Sequence, residues 1–235
     1  MDKTQIAENV LAVRNAIEQA LQRAGRKDGV TLIGVTKTIA LDRIQELIAC
    51  GVTELGENRV QELMGKQELI TGVNWHLIGR LQTNKVKYVV GKCRLIHSVD
   101  SLSLAAEISK RAEARQITQD ILIEVNIAAE QSKAGVKPEE CLRFAEEIRK
   151  LKGIHLTGLM CVAPDVDAAE KNRLHFRRMA ELVQNINKGC KETERVTELS
   201  MGMTNDYAVA VEEGATMVRV GSAIFGQRPM KEERQ

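Results

Sequence analysis

The sequence predicts a parallel α/β fold, a single (β/α)8 barrel with one extra helix at its N-terminus. Three observations predict it. Eight short apolar segments recur along the 235 residues, each followed by a helical pattern or the final tail. Such alternation gives a parallel sheet covered by helices, and eight units suit closure into a barrel. The first segment is followed by Lys37-Thr38-Ile39-Ala40, not by the glycine-rich GxGxxG turn of an open, doubly wound sheet. Polar residues gather at the C-terminal ends of the segments, where barrel enzymes collect their ligands.

The elements follow in order. Ile6, Val10, Val13, Ile17 and Leu21 recur at helical spacing and give an amphipathic first helix. A turn at 25–29 leads into an apolar strand over 30–37. Leu41, Ile44, Leu47 and Ile48 share one face of a helix that closes near Gly51. A strand over 52–55 runs into Gly56-Glu57-Asn58-Arg59, then come a helix over 60–70 and a strand over 74–79. Helix 84–90 precedes strand 95–99, and Asp100 or Ser101 caps a helix reaching about 114. After strand 121–126, Pro138 stands in the first turn of a helix that continues over 139–151. Strand 154–160, helix 166–188, strand 197–201, helix 206–213 and strand 217–220 complete the series. No linker or low-complexity tract interrupts it, so residues 1–235 read as one domain. The basic tail 228–234 reads as a solvated end.

Composition excludes several roles. With 34 basic and 32 acidic residues the net charge is +2, which calls for neither nucleic acid nor an anionic membrane. Aromatics are 3% of the chain, too few for base-stacking platforms. The five cysteines are scattered, odd in number and without a CxxC pair. They read as reduced thiols of a cytoplasmic protein, not as disulfides or metal ligands. The charged first helix is no signal peptide, and no apolar run approaches the roughly 20 residues that span a bilayer.

Lys37 is the leading candidate for chemistry. An ammonium at the mouth of a buried strand is costly unless paired or neutralised. A neutral amine there can attack a carbonyl and form a Schiff base. The other strand ends supply Glu57 and Asn58, His76 with Arg80, Gln82 and Asn84, Asn126, Met160, Ser200 to Thr204, and Arg219 to Ser222. Ser200, Gly202, Gly221 and Ser222 follow the last two strands, where barrels often hold a phosphate through hydroxyls and close backbone N–H groups. A phosphate site opposite a Schiff-base lysine admits a phosphorylated sugar carbonyl or pyridoxal 5′-phosphate. Arg219 favours the second, because a guanidinium facing a pyridine nitrogen keeps that nitrogen unprotonated. His76 and His97 are expected to be hydrogen-bonded barrel residues rather than general bases.

Taken together, the motifs resemble a known family. They are Val35-Thr36-Lys37-Thr38, Gly56-Glu57-Asn58, the run from Trp75 to Lys85, Gly158-Leu159-Met160, Leu199-Ser200-Met201-Gly202-Met203, and the run from Val218 to Gly226. In this order they resemble the pyridoxal phosphate homeostasis proteins, also called the proline synthetase co-transcribed family, nearly end to end. The resemblance implies a barrel like the N-terminal domain of bacterial alanine racemase, with pyridoxal phosphate bound to Lys37 as a Schiff base. It implies Asn58 near the ring substituents, Ser200, Gly202, Gly221 and Ser222 at the phosphate, and Arg219 at the pyridine nitrogen. Ser222 stands where the family often has threonine. Lys133, in the segment 127–135, is by the same matching a candidate for a second, transient contact with the cofactor.

The resemblance further implies a role in holding free pyridoxal phosphate low and supplying it to apo-enzymes. Sequence adds a reason to expect little turnover. A racemase needs acid–base groups on both faces of its substrate, and Lys37 serves one. In alanine racemases the other face is served by a tyrosine of an additional domain of the partner subunit. The end of the chain at Gln235 predicts that this domain is absent and that the barrel is a monomer. Of the two tyrosines, Tyr88 falls on an outer helix and Tyr207 just after strand seven. A pyridoxal phosphate enzyme with weak racemase- or lyase-like activity is the alternative reading, and an aldolase-type barrel without cofactor the third.

Overall fold

Eight parallel strands close on themselves in chain order, with β8 hydrogen-bonded back to β1, in a computed structural model that describes residues 3–130 and 133–226. The strands are β1 (Thr31–Val35), β2 (Glu54–Glu57), β3 (Asn74–Leu77), β4 (Leu95–Val99), β5 (Gln119–Val125), β6 (Ile154–Cys161), β7 (Glu198–Ser200) and β8 (Met217–Val220). Helices α1 (Lys3–Arg23), α2 (Leu41–Ala49), α3 (Val60–Gln67), α4 (Val86–Val89), α5 (Leu102–Ala114), α6 (Cys141–Arg149), α7 (Arg173–Asn187), α8 (Tyr207–Glu212) and α9 (Ser222–Phe225) surround them. The tail 228–234, together with Gln131 and Ser132, lies outside the described residues.

The period-2 alternation of a strand sorts side chains between two cores. Outward residues such as Leu55, Leu77, Ile96, Ile121, Leu159 and Val218 pack beneath the helices in one large buried cluster. Inward residues Ile33, Leu95, Leu122, Met160 and Met217 form a second, smaller cluster on the barrel axis. The axis is not wholly apolar, because His76, His97, Ser200 and Arg219 are buried there too. Helix α1 buries Ile6, Val10, Val13 and Ile17, as its spacing predicts, and packs on α2, α8 and α9. Asn9 fastens it by donating to the Ile224 carbonyl at 2.8 Å. No helix among the described residues is long and apolar enough to cross a membrane.

The structure shifts several predicted boundaries, and each shift has a local cause. Strand β1 stops at Val35, two residues before Lys37. Thr38 adopts φ 62° there, a left-handed turn that ends the ladder. Helix α7 starts at Arg173 rather than 166, since a 3-10 turn over Ala169–Asn172 leads into it and the segment 162–166 lines the cavity instead. Ser101 supplies the α5 cap, its hydroxyl accepting the Leu104 N–H at 3.4 Å. The single turn α9 follows β8 directly and is not visible in the sequence pattern, being too short to show a period.

Candidate functional site

The C-terminal ends of the strands open on a cavity of about 390 Å3, within the size range of small-molecule sites. Lys37, Lys133, Arg219, Gly221 and Ser222 all line it, with Thr204 beside Ser222.

Lys37 enters the cavity from a clamped turn. On one side Thr36 is fully buried, and its Oγ1 donates to Glu57 Oε1 at 2.7 Å. Lys66 Nζ, on α3, donates to the Thr36 carbonyl at 2.7 Å and to Glu57 Oε1 at 2.6 Å. On the other side the Thr38 N–H donates to Glu62 Oε2 at 2.9 Å. Four side chains thus hold the backbone on both sides of Lys37. Burial pushes the Glu57 carboxyl above the usual carboxylate range, against the hydrogen bonds from Lys66 and Thr36 that pull it down. Glu62 goes the other way: burial raises it, but the Thr38 N–H, the adjoining Glu57 and Lys66 together hold it below its ordinary value.

Arg219 faces the cavity from β8 and is only 4% exposed. Its Nη1 donates to Ser200 Oγ at 2.6 Å and its Nη2 to the Cys161 carbonyl at 2.8 Å. Burial lowers its pKa, yet a guanidinium remains a donor only. These two bonds fix the plane of the fork.

The loops after β7 and β8 are tied to each other. Ser222 Oγ donates to Thr204 Oγ1 at 3.1 Å, and the Ala223 N–H donates to the same oxygen at 3.3 Å. Asp206 organises the β7 loop, accepting the Met203 N–H at 2.7 Å and the Asn172 side-chain amide at 2.8 Å. Gly221 lies against Val35, where an added Cβ would sit 3.3 Å from Val35 Cβ. A side chain there would crowd the end of β1.

The sequence-predicted residues divide into two groups. Lys37, Arg219, Gly221 and Ser222 share the cavity, and Lys133 joins them, ion-paired to Glu130 Oε1 at 2.8 Å. Ser200, Gly202 and Asn58 are not among the residues that line it. Ser200 is the last residue of β7, so its side chain falls inside the barrel, with its hydroxyl bonded to Arg219 and His97. Gly202 is buried against α8 at φ 90°, and its carbonyl accepts the Arg219 N–H at 3.0 Å. Asn58 is half-buried after β2, its backbone pressed against Gly79. Neither tyrosine reaches the cavity lining. Tyr88 is 42% exposed on α4, while Tyr207 is half-buried on α8, and burial raises its phenol pKa.

The sequence pattern marks Thr204 only as the end of the run after strand seven, and does not mark Lys66, Glu62 or Asp206. A lysine on a helix reads as a solvated residue, and only the fold shows that Lys66 is turned inward. His76 and His97 are hydrogen-bonded barrel residues, as expected, each through both ring nitrogens.

Known proteins share this arrangement of chain and fold. The alanine racemase N-terminal domain family matches residues 5–229. A pyridoxal phosphate homeostasis protein of Aquifex aeolicus is 43% identical over 94% of this chain and 97% of its own length. A crystal structure from Bifidobacterium adolescentis superposes with a TM-score of 0.89 at 39% identity, covering 96% of this chain and 97% of the other. PipY of Synechococcus elongatus, solved with PLP bound, gives a TM-score of 0.82 at 32% identity, covering 94% of this chain and all (100%) of PipY.

Proposed function

Because this chain belongs to the pyridoxal phosphate homeostasis proteins, within the alanine racemase N-terminal domain family, we propose that its cavity holds pyridoxal 5′-phosphate covalently on Lys37 and serves the cell's supply of that cofactor. The cofactor would supply there a carbonyl carbon that passes reversibly from one amine to another, releasing Lys37 as the second amine binds. The observation that carries the reading is the placement of Lys37 and Arg219 on one cavity with Gly221 and Ser222.

The residues suit the group in three ways. Lys37 supplies a primary amine on a turn clamped from both sides. Gly221 lines the cavity without a side chain, and the hydroxyls of Ser222 and Thr204 stand beside it as donors for a phosphate. Arg219 presents a buried, obligate donor, which suits an unprotonated ring nitrogen and weakens the ring as an electron sink.

That last point favours a carrier over an enzyme. Neither tyrosine lines the cavity to act on a second face. We place the protein in the cytoplasm, as a monomer that hands the cofactor to apo-enzymes.

The test is the visible absorbance of the purified protein loaded with pyridoxal phosphate, before and after borohydride, with Lys37→Ala beside it. The expected result is a visible band that borohydride converts to a stable adduct and that Lys37→Ala lacks. A wild-type protein that stays colourless with added cofactor refutes the reading.

A further inference from the structure

A line of hydrogen bonds runs through the barrel from its N-terminal mouth to Arg219. Glu54 opens β2 at that mouth, its side chain 18% exposed. Its Oε2 lies 2.7 Å from His76 Nε2. His76 Nδ1 lies 2.9 Å from His97 Nε2, and His97 Nδ1 lies 3.0 Å from Ser200 Oγ. Ser200 Oγ accepts from Arg219 Nη1 at 2.6 Å. Both histidines and Ser200 are wholly buried, at 0% exposure.

Such a chain is unusual filling. Barrel axes are normally packed with branched apolar side chains, and buried polar groups persist only when partnered. Here one set of polar contacts links five strands, and each internal member has a partner on both sides.

The two ends set the direction of every bond. Arg219 can only donate. Glu54, when ionised, can only accept. Burial raises the Glu54 carboxyl, but hydrogen bonds from His76 and Asn74, with Arg94 close by, outweigh it and hold the group below the usual range. Burial, with the Arg219 charge adding to it, keeps His97 neutral. Between a donor-only Arg219 and an acceptor-only Glu54, with one ring hydrogen on each histidine, one arrangement satisfies all four contacts. Ser200 gives its hydrogen to His97 Nδ1, His97 gives Nε2–H to His76 Nδ1, and His76 gives Nε2–H to Glu54. Each hydroxyl or ring that donates onward becomes a better acceptor for the one before it.

We propose that Glu54, His76, His97 and Ser200 form a positioning relay that aims the Arg219 guanidinium at the cofactor's ring nitrogen, so that a change at the far mouth of the barrel is felt at the ring. The relay rests on the cofactor reading above for its target, but not for its own geometry. None of its four members is a catalytic residue; they act through Arg219. Glu54 is the one member within reach of solvent, and it is ringed by Asn74 and Arg94 at 2.7 and 3.2 Å. That end is where the outside can address the buried arginine.

The test uses Glu54→Gln, a partly exposed and isosteric change, in two arms. The first is nitrogen NMR of histidine-labelled protein without cofactor. The expected result is both histidines with hydrogen on Nε2, and His97 resonances that shift in Glu54→Gln although Glu54 does not touch His97. Hydrogen on His97 Nδ1, or His97 resonances unmoved by the substitution, overturns the relay. The second arm loads both proteins with pyridoxal phosphate labelled with nitrogen-15 in the ring. A ring-nitrogen resonance that shifts in Glu54→Gln, with cofactor release faster by roughly threefold to tenfold, is expected for the weakening of one relayed hydrogen bond. An identical ring resonance in the two proteins overturns the coupling to Arg219. Failure of the wild type to retain cofactor at all refutes the site reading instead, and the first arm then decides the relay alone.

Discussion

The Nζ of Lys66 lies 2.7 Å from the carbonyl oxygen of Thr36, the residue just before Lys37. The same ammonium lies 2.6 Å from the fully buried carboxylate of Glu57. One helix lysine therefore partners a buried carboxyl group and bonds the backbone from which the Lys37 side chain projects. The backbone on both sides of Lys37 is thus bonded to side chains of α3.

Removing that lysine should cost both stability and site geometry. Lys66→Met leaves Glu57 buried without its cation, and losing one partner of a buried ion pair typically costs about 3 to 5 kcal/mol. Lys66 is 12% exposed and Glu57 not at all, so the lower end is expected, read by urea unfolding. Loss of under about 0.5 kcal/mol, the scale of an exposed pair, would show that the ion pair holds nothing in place.

The pH dependence of that variant follows from the sign of the Glu57 shift. Its folded-state pKa is raised above the ordinary value of 4.5. The folded protein therefore binds that proton more tightly than the unfolded chain does. The stability this contributes is full below the ordinary value and is lost as pH rises through the folded one. Without Lys66 the shift grows. The melting-temperature gap between wild type and Lys66→Met should be wider at pH 7 than at pH 4, and a gap independent of pH would contradict a charged Glu57.

Ser200 and Thr204 should separate by nucleus. Ser200 Oγ holds Arg219, whereas Thr204 Oγ1 lies at the cavity beside Ser222. In cofactor-loaded protein, Ser200→Ala should move the ring-nitrogen resonance and leave the phosphorus resonance in place. Thr204→Val should do the reverse. A phosphorus shift in Ser200→Ala alone would return Ser200 to the phosphate role its motif implies.

Gly202→Ala should unfold the β7 loop more than its size suggests. Gly202 has φ 90°, and an added Cβ would lie 2.6 Å from Ala210 Cβ and 2.9 Å from Tyr207 Cα. Left-handed strain and overpacking each cost about 1 to 3 kcal/mol. A fall of several degrees in melting temperature is expected, with cofactor retention reduced because Gly202 also accepts the Arg219 N–H.

Turnover can be read directly. Loaded protein incubated with L-alanine in heavy water should leave the α-hydrogen unexchanged over many equivalents, because no tyrosine of this chain stands at the cavity. Multiple exchanges per protein molecule would favour the racemase-like alternative.

Much of the site is legible in the sequence for a simple reason. Lys37, Arg219, Gly221 and Ser222 each sit at or just past the end of a strand, and in a parallel barrel all such ends point to one mouth. Ser200 shows the limit. It too ends a strand, but whether a terminal side chain lies inside the axis or at the rim depends on the pairing of β7 with its neighbours, here Met160 with Ser200. Lys66 and Glu62 show another limit, since nothing in a helical pattern marks a charged residue as turned towards a strand end.

Local periodicity and position at a strand end carry the alternation of strands and helices, the closure into eight units, and the amine, guanidinium and Gly221 of the mouth, so these are legible in the chain alone. Only the tertiary structure decided that Glu54, His76, His97, Ser200 and Arg219 would meet in one line. Those residues come from five strands, and their heights on the axis are set by the registers Gly56 with His76, Ile33 with Arg219 and Met160 with Ser200. The stagger of a closed barrel is a property of all its strand pairings at once, and no window of sequence contains it.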